Sequence, residues 1–536
     1  MRSVLFGLFA TTLIGCGVFG SSDDSAPKDD PAPPMPSTAQ DNATPPPPVG
    51  GQAPVGVYVS SSQGQDDGSG SSVRPLKTLA SAFAKAKEQG LRVIACAEEY
   101  PENVTLLDGV SAYGYYDCKK TPWERGAPRA VIRAAATPAM VAKGITQPTR
   151  LEGFEVRSPD FDGAPATDTT GTSIALEVHD SIGLTLSEVL LHAGRGAPGI
   201  DGVEGPVNSR TAASNGGAAS DQTERTCNSV LQSMGLCGTI GIPGATGGVT
   251  TCAIGPSGGT GGQGGDGRIY VSRAPGEKVG EQRGHPLLAT VATGVGGLNE
   301  SAAGTGIGLA ALRGANGTEG TDGTNGVWSL TATGFARGNG TQGGAGGPGQ
   351  GGGGGAGSQA AFTAAGGLTS PPPGSLFYAT ATGGGGAGGG CGGQPGTPAA
   401  GGGASIGALV IASTMTFERT RIETSAGGRA GKGNLGTAGI VGGTGGAGTV
   451  HTISTTGGGG DGGAGGSGGA SGHGAPGPSI ALAWSKTKPT TTEVELAPGP
   501  GGAGQPELSR VVGGTVGTKL LPAAVGESKA EHEITP

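Results

Sequence analysis

Between residues 56 and 193 the apolar positions come in short groups, broken by glycine, serine, proline and acidic residues. Val57 and Val59 mark a first strand, and the Gly/Ser/Asp run after them predicts a loop. Leu76, Leu79, Phe83 and Ala86 then recur at helical spacing, with Pro75 suited to a helix start and Gly90 to its end. Short strands are predicted around Val93-Ile94, Val104–Leu107 and Val110–Tyr113. The same strand pattern continues through "AVIRA", "LEGFEVRS", "SIALEVHD" and "IGLTLSEVLLHA".

After Ala193 the pattern changes. Glycine recurs every third residue in blocks such as "GAPGIDGVEG" from Gly196, "GANGTEGTDGTNG" from Gly314 and "GNLGTAGIVGGTGGAG" from Gly433. The 117 glycines and 38 prolines among 536 residues reach the level at which low complexity is the default expectation. A flexible linker needs no phase, however, and period three calls for a helix of three residues per turn such as polyproline II, which has no internal hydrogen bonds. Collagen would need longer unbroken runs and more proline. Here apolar segments such as "RIYVSRA", "VWSLTATGFA", "SLFYATAT", "TVHTIS" and "IALAWS" interrupt the blocks, as short strands or turn-backs. A disordered glycine-rich loop is the competing reading, because glycine loses the most entropy on ordering. One internal repeat bears on this: "SIALEVHDSIGLTLSEVLLHAGRGAPGIDG" from Ser173 returns as "SIGALVIASTMTFERTRIETSAGGRAGKGN" from Ser405. Repeats of this kind signal stacked units of one architecture.

The stretches "VSSSQGQDDGSG", "RPLKTLASAFAKA", "EEYPENVTL" and "DGVSAYGYYD" resemble the opening of right-handed parallel β-helix proteins of the pectin-lyase-like kind. The resemblance implies an all-β, right-handed parallel β-helix whose N-terminal helix caps the first coil. It also implies that Cys96 and Cys118, separated by about one coil, meet in stacked coils and form a disulfide. The glycine blocks resemble the polyglycine II bundles of glycine-rich antifreeze proteins and the glycine-rich repeats of mycobacterial surface proteins. That implies a polyproline II-type bundle interrupting the β-helix, with main-chain N–H and C=O groups pairing between helices.

The chain opens "MRSVLFGLFATTLIGCG", with an apolar run too short to span a bilayer as a helix, read as a signal peptide. Its end, Leu13-Ile14-Gly15-Cys16, resembles the lipobox of bacterial lipoproteins, which implies lipidation at Cys16 and a membrane as partner. Gly17 after the cysteine favours the outer membrane by the same analogy. The expected organisation is a signal peptide over 1–15, a disordered Pro/acidic tether over 16–52 and a capped β-helix over 53–195. A glycine-triplet region follows over 196–404, a returning coil over 405–425, a second triplet region over 426–478, and C-terminal strands with a polar tail over 479–536.

A formal charge of -8 leaves no basic stripe for phosphates and argues against nucleic acid. The mature chain keeps six cysteines, Cys96, Cys118, Cys227, Cys237, Cys252 and Cys391. An even count in an exported chain suggests disulfides. Cys227, Cys237 and Cys252 lie in or beside the first glycine blocks, and Cys391 lacks a local partner, so it is a candidate to pair with the odd one of the three. No residue is assigned as catalytic or metal-binding, and no cofactor is expected. "AGGRAGKGN" lacks the Ser/Thr and the helix of a phosphate loop. Asp266, Asp322 and Asp461 are too isolated for calcium repeats. His179, His192, His285, His451, His473 and His532 show no zinc-hydrolase spacing. Glu152, Glu155, Glu177, Asp180 and Glu188 occur on the strand repeats without a lyase or hydrolase motif around them. The expectation is a non-catalytic structural or adhesive envelope lipoprotein, with a polysaccharide or other surface matrix as a possible partner. The alternative is a polysaccharide-binding or polysaccharide-cleaving protein, and ice binding is a third reading by analogy.

Overall fold

The computed structural model describes residues 54–163, 171–208, 213–227, 240–265, 267–269, 311–357, 376–451, 454–512 and 515–534. Cys16, the tether, Cys237, Asp266 and His285 lie outside them. The described chain is built mostly of strands, with one α-helix, Leu79–Gln89. Thr78 caps this helix by accepting from the Ser81 N–H at 3.2 Å, and Glu102 accepts from the free N–H groups of Leu79 and Ala80 at 2.7 and 3.1 Å. The helix therefore starts after the Thr78 cap and not at Pro75, because Thr78 supplies an acceptor where proline could only supply a fixed φ. Gly90 ends it at φ 64°, and Leu79, Ala82, Phe83 and Ala86 face the core.

Three sheets carry the main core, and strand pairing along each is parallel apart from the short Glu124–Arg125 strand. The first sheet begins with Val57–Val59 and Val93–Cys96 and continues through Thr149–Glu152, Ile182–Ser187, Thr414–Glu418 and Thr490–Thr492. The second includes Ala130–Arg133, Phe154–Arg157, Leu190–Ala193, Arg421–Thr424 and Glu495–Ala497. The third includes Met140–Lys143, Ser173–His179, Ser405–Ile411, Ser479–Ser485 and Ser528–Ile534. From Ala112 onward the chain visits first, second and third sheet in that fixed cyclic order. The side chains turned inward, among them Ile132, Leu151, Phe154, Leu176, Leu186 and Phe417, form one buried cluster.

The two halves of the sequence repeat are adjacent strands in register, Ser173 opposite Ser405 and Ile174 opposite Ile406. Two further copies follow, which the sequence comparison did not single out: Ser405 lies opposite Ser479, and Ser479 opposite Ser528. Residues 528–534, read from sequence as part of a polar tail, are thus a strand of the third sheet. Polarity misled because this strand lies at the sheet's edge, where several of its side chains meet solvent.

Every glycine-rich insertion leaves from the end of a second-sheet strand and returns at the start of a third-sheet strand. These are residues 194–404, 425–478 and 498–527. Sharing one corner, they stack on each other through main-chain bonds such as Gly428 N–H to Gly403 O, Gly477 to Gly428, Gly502 to Gly477 and Gly526 to Gly502, at 2.8 to 2.9 Å. Serines tie each return to a departure point: Ser173 donates to Pro159 O, Ser405 to Gly194 O, Ser479 to Ser425 O and Ser528 to Gly499 O, all at 2.7 to 2.9 Å.

Within the insertions the hydrogen bonds recur every third residue. Along 383–393, Gly383, Gly386 and Gly389 donate to Gly265, Gly262 and Gly259, while Gly384, Ala387, Gly390 and Gly393 donate to Gly457, Gly460, Gly463 and Gly466. Gly385 and Gly388 donate to Gly217 and Ser214. The carbonyls of the same segment accept from three other segments, around 245–248, 346–355 and 440–446. The segment therefore has six neighbours and is buried throughout. At the rim, side chains replace missing neighbours: Asn316, Glu319, Asp322 and Asn325 accept from the N–H groups of Ala464, Ser467, Ala470 and His473 at 2.8 to 3.0 Å. Asp322 and Asp461 are thereby main-chain acceptors, Asp461 for Gly445 at 2.9 Å. Several apolar interruptions are antiparallel turn-backs. The hairpin of Ser329–Thr331 and Gly334–Ala336 lays Leu330, with Trp328 and Phe335, over Ile406, Leu409, Ile480 and Ala483 on the outer face of the third sheet.

Two disulfides are described, Cys96–Cys118 and Cys252–Cys391, the second joining an outer segment to the buried one. Cys227 ends the strand Asp221–Cys227.

A Cβ added at Gly386 would overlap Gly352 O, whereas one at Gly458 would meet nothing closer than Gly446 O at 3.4 Å. Gly386→Ala is therefore expected to lower stability by about 1–3 kcal/mol and Gly458→Ala by much less, measured by denaturant unfolding. His473 is fully buried, and its Nδ1 accepts from Gly433 N–H at 2.8 Å. Burial holds its pKa below the ordinary value near 6.5, outweighing a main-chain hydrogen bond at Pro506 that acts in the opposite sense, and the nearby Lys432 charge adds to the lowering. The unfolded chain then binds the proton more readily, so stability is full above about pH 6.5 and declines as pH falls below it. Thermal unfolding from pH 8 to 5 should show this decline, and His473→Gln should reduce it.

Candidate functional site at the insertion corner

Where the second sheet ends and the insertions begin, the stacked departure points leave an open groove of about 760 Å³. Asp162, Arg195, Pro198, Ser425, Arg429 and Pro500 line it, over a floor that includes Gly427 and Gly428. Arg195 and Arg429 stand along it, each held by an aspartate: Arg195 by Asp162 at 2.9 Å and Arg429 by Asp201 at 2.8 Å. Burial alone would raise the Asp201 pKa, but the Arg429 guanidinium and the Lys432 N–H hold it below the usual carboxylate value.

The last outward positions of the second sheet lead into this groove. His192 and Glu423 are opposite one another in register, and His192 Nδ1 lies 2.8 Å from Glu423 Oε1. Glu423 Oε2 accepts from Arg421 at 3.0 Å. Partial burial would raise the Glu423 pKa, and the bonds and charges of His192 and Arg421 outweigh it and lower the value. The other imidazole nitrogen, His192 Nε2, is 3.5 Å from Ser425 Oγ. Ser425 is fixed by its own main chain, its N–H donating to Ala193 O and its carbonyl accepting from Ser479 Oγ.

The carboxylates considered from sequence are distributed differently. Glu152 is buried between Arg125 and Arg150, and Arg150 reaches on to Glu418 at 3.0 Å. Glu155 pairs with Arg157, Glu177 with His179, and Glu188 with Arg419. Asp180 occupies a turn at φ 46°. Glu152, Glu155 and Glu188 are thus committed to arginines, and Glu177 to the His179 imidazole. The one group of metal-ligand residues among those described, Cys96, Glu98 and Cys118, has both sulfurs in a disulfide, while Glu98 accepts from Ser60 and Ser61 at 2.9 and 3.1 Å. Sequence reasoning placed His192 on a strand and passed over Ser425, Arg195 and Arg429. A usable signal was present: the repeated units align "LLHAGRG" with "RIETSAGGRAG", which puts the histidine of one unit opposite the glutamate of the next, two residues before a serine.

No family model, curated protein or solved structure matches the chain.

Removing Arg150 strands the buried Glu152 charge beside a single remaining cation. Arg150→Ala is expected to cost about 3 kcal/mol, while Arg133→Ala, which removes an exposed partner of Glu99, should cost less than about 1 kcal/mol. Equilibrium unfolding of the two variants at one salt concentration checks the contrast.

Proposed function

We propose that the protein is a structural or adhesive component of the bacterial cell envelope, anchored by lipid on Cys16, most simply at the outer membrane. In this reading, the stacked parallel sheets are a right-handed parallel β-helix capped by the helix Leu79–Gln89. The hydrogen-bonded glycine segments are a polyglycine II-type bundle inserted at one corner. The observation that carries the reading is the buried segment 383–393 with six hydrogen-bonded neighbours. Such a segment has little freedom to give up or to gain, which suits a rigid surface module better than a flexible linker. The disulfide from Cys252 to Cys391 adds to the stability of the folded module by restricting the unfolded chain.

A second reading, binding of a polysaccharide, is favoured by the open groove at the insertion corner, along which Arg195 and Arg429 stand paired with Asp162 and Asp201. Cleavage of glycosidic bonds has less support, because a glycosidase needs two carboxylates free to act as acid and base or nucleophile. Glu152, Glu155 and Glu188 are committed to arginines instead, and Glu177 to the His179 imidazole.

The full chain and its Cys16→Ser variant, produced in a Gram-negative host, separate these readings. The expected result is that the full chain fractionates with the outer membrane, resists native-state proteolysis across 311–357 and 382–478, and makes the cells adhere, while Cys16→Ser loses membrane association. New reducing ends or unsaturated products from a panel of acidic polysaccharides would replace the structural reading with a catalytic one. Rapid cleavage throughout the glycine segments would overturn the rigid-module reading.

A further inference from the structure

We infer that the groove at the insertion corner is a serine-nucleophile site for hydrolysis of small acyl esters, with Ser425 as nucleophile, His192 as general base and Glu423 as the residue that positions His192. Three observations meet here. Ser425 Oγ, His192 and Glu423 follow each other in the order nucleophile, base and orienting carboxylate, at 3.5 and 2.8 Å. The first distance is at the long limit of a hydrogen bond, as is common before substrate is bound. The carboxylate is fully engaged, one oxygen on the imidazole and the other on Arg421, which keeps it ionised and sets the tautomer with Nε2 free to accept from Ser425. The serine opens into the groove and not into the core.

The third observation concerns main-chain donors. In the segment that follows Ser425, the carbonyls of Ala426, Arg429 and Lys432 accept from the N–H groups of Gly196, Gly199 and Gly202 on the neighbouring segment. The N–H of Lys432 is taken by the Asp201 carboxylate of that segment at 2.9 Å. One and two triplets earlier, that role falls to Pro198 and Arg195, which offer no carboxylate. Among the described residues the N–H groups of Arg429 and Ala426 accordingly have no acceptor, and both residues line the groove. Ala426 directly follows the serine, where an N–H can stabilise the oxyanion formed when a carbonyl is attacked.

The chemistry closes without a cofactor. Ser425 Oγ attacks the ester carbonyl as its proton passes to His192 Nε2, and the Ala426 N–H faces the developing oxyanion. The carbon–oxygen bond to the alcohol breaks, and His192 returns the proton to the leaving alkoxide. A water, deprotonated by His192, then attacks the acyl-serine and releases the acid, restoring Ser425. The net reaction converts ester and water to alcohol and carboxylic acid. The groove is open and shallow, so the ester can be carried on a polymer.

The full chain is treated with a fluorophosphonate probe, and p-nitrophenyl acetate hydrolysis is followed in parallel. The expected outcome is covalent labelling that maps to Ser425, with hydrolysis falling about 100-fold or to the buffer rate in Ser425→Ala. Glu423→Gln is expected to lower kcat by about tenfold or more with KM unchanged, a split that a merely structural ion pair would not produce. Circular dichroism and thermal unfolding establish that each variant is folded. Absence of labelling on folded protein, labelling at another residue, or hydrolysis undiminished in Ser425→Ala would each overturn the assignment. All readouts are made on purified protein, so they are independent of whether it is anchored or adhesive.

Discussion

The structure depends on one requirement: a segment whose hydrogen bonds recur every third residue has no partners within itself, so each of its buried N–H and C=O groups must find one on another segment. A single such segment in water is a loose coil. An assembly of them can satisfy every group only if the axes approach to main-chain hydrogen-bonding distance, and a side chain on the facing edge prevents that approach. This is why glycine holds the third position at sites such as Gly386, where Gly352 O occupies the place of a Cβ. The interior segment 383–393 is enclosed by six others, and at the rim side-chain oxygens of Asn316, Glu319, Asp322 and Asn325 answer N–H groups that no further described segment reaches.

The stacked sheets solve the problem of bringing such segments together. Without a scaffold, collecting many glycine-rich stretches would carry a large entropy cost, since each has little apolar surface to bury. Here the strands are aligned first by their own pairing and by a conventional core of Ile132, Phe154, Leu186 and Phe417. All three insertions start from one sheet and return to the next at a single corner, so their first glycines are already at ladder spacing. The serines that join each return to a departure point close these necks, and the Trp328 and Leu330 hairpin returns the favour by covering apolar strand positions that would otherwise face water.

The same corner carries the groove. Stacking puts His192 of one repeat beside Glu423 of the next and brings Ser425 to the imidazole, three residues that no local motif connects. Where the array keeps its period with an aspartate, as at Asp201, an N–H is satisfied. Where the period falls on Pro198 and Arg195, donors are left open to the groove. Most other charged groups on the strands cancel in pairs, which separates this corner from the ladders around it.

Much of the architecture is legible along the chain, for physical reasons. Short apolar groups bounded by turn residues marked the strands around Val57 and Val93, and the strand pattern continued through Phe154. The helical spacing of Leu79, Phe83 and Ala86 marked the helix, and the triplet phase of the glycine blocks pointed to a three-residue repeat while leaving a disordered loop as the competing reading. These signals are local, since each states what one segment needs from its surroundings. The partners were decided only by the tertiary structure. Which six segments enclose 383–393, that Cys391 meets Cys252, that the polar residues 528–534 form a strand, and that Ser425, His192 and Glu423 converge all follow from the register in which the sheets stack. Register is a sum of many weak main-chain bonds between residues far apart in sequence, and no short stretch of the chain encodes it alone.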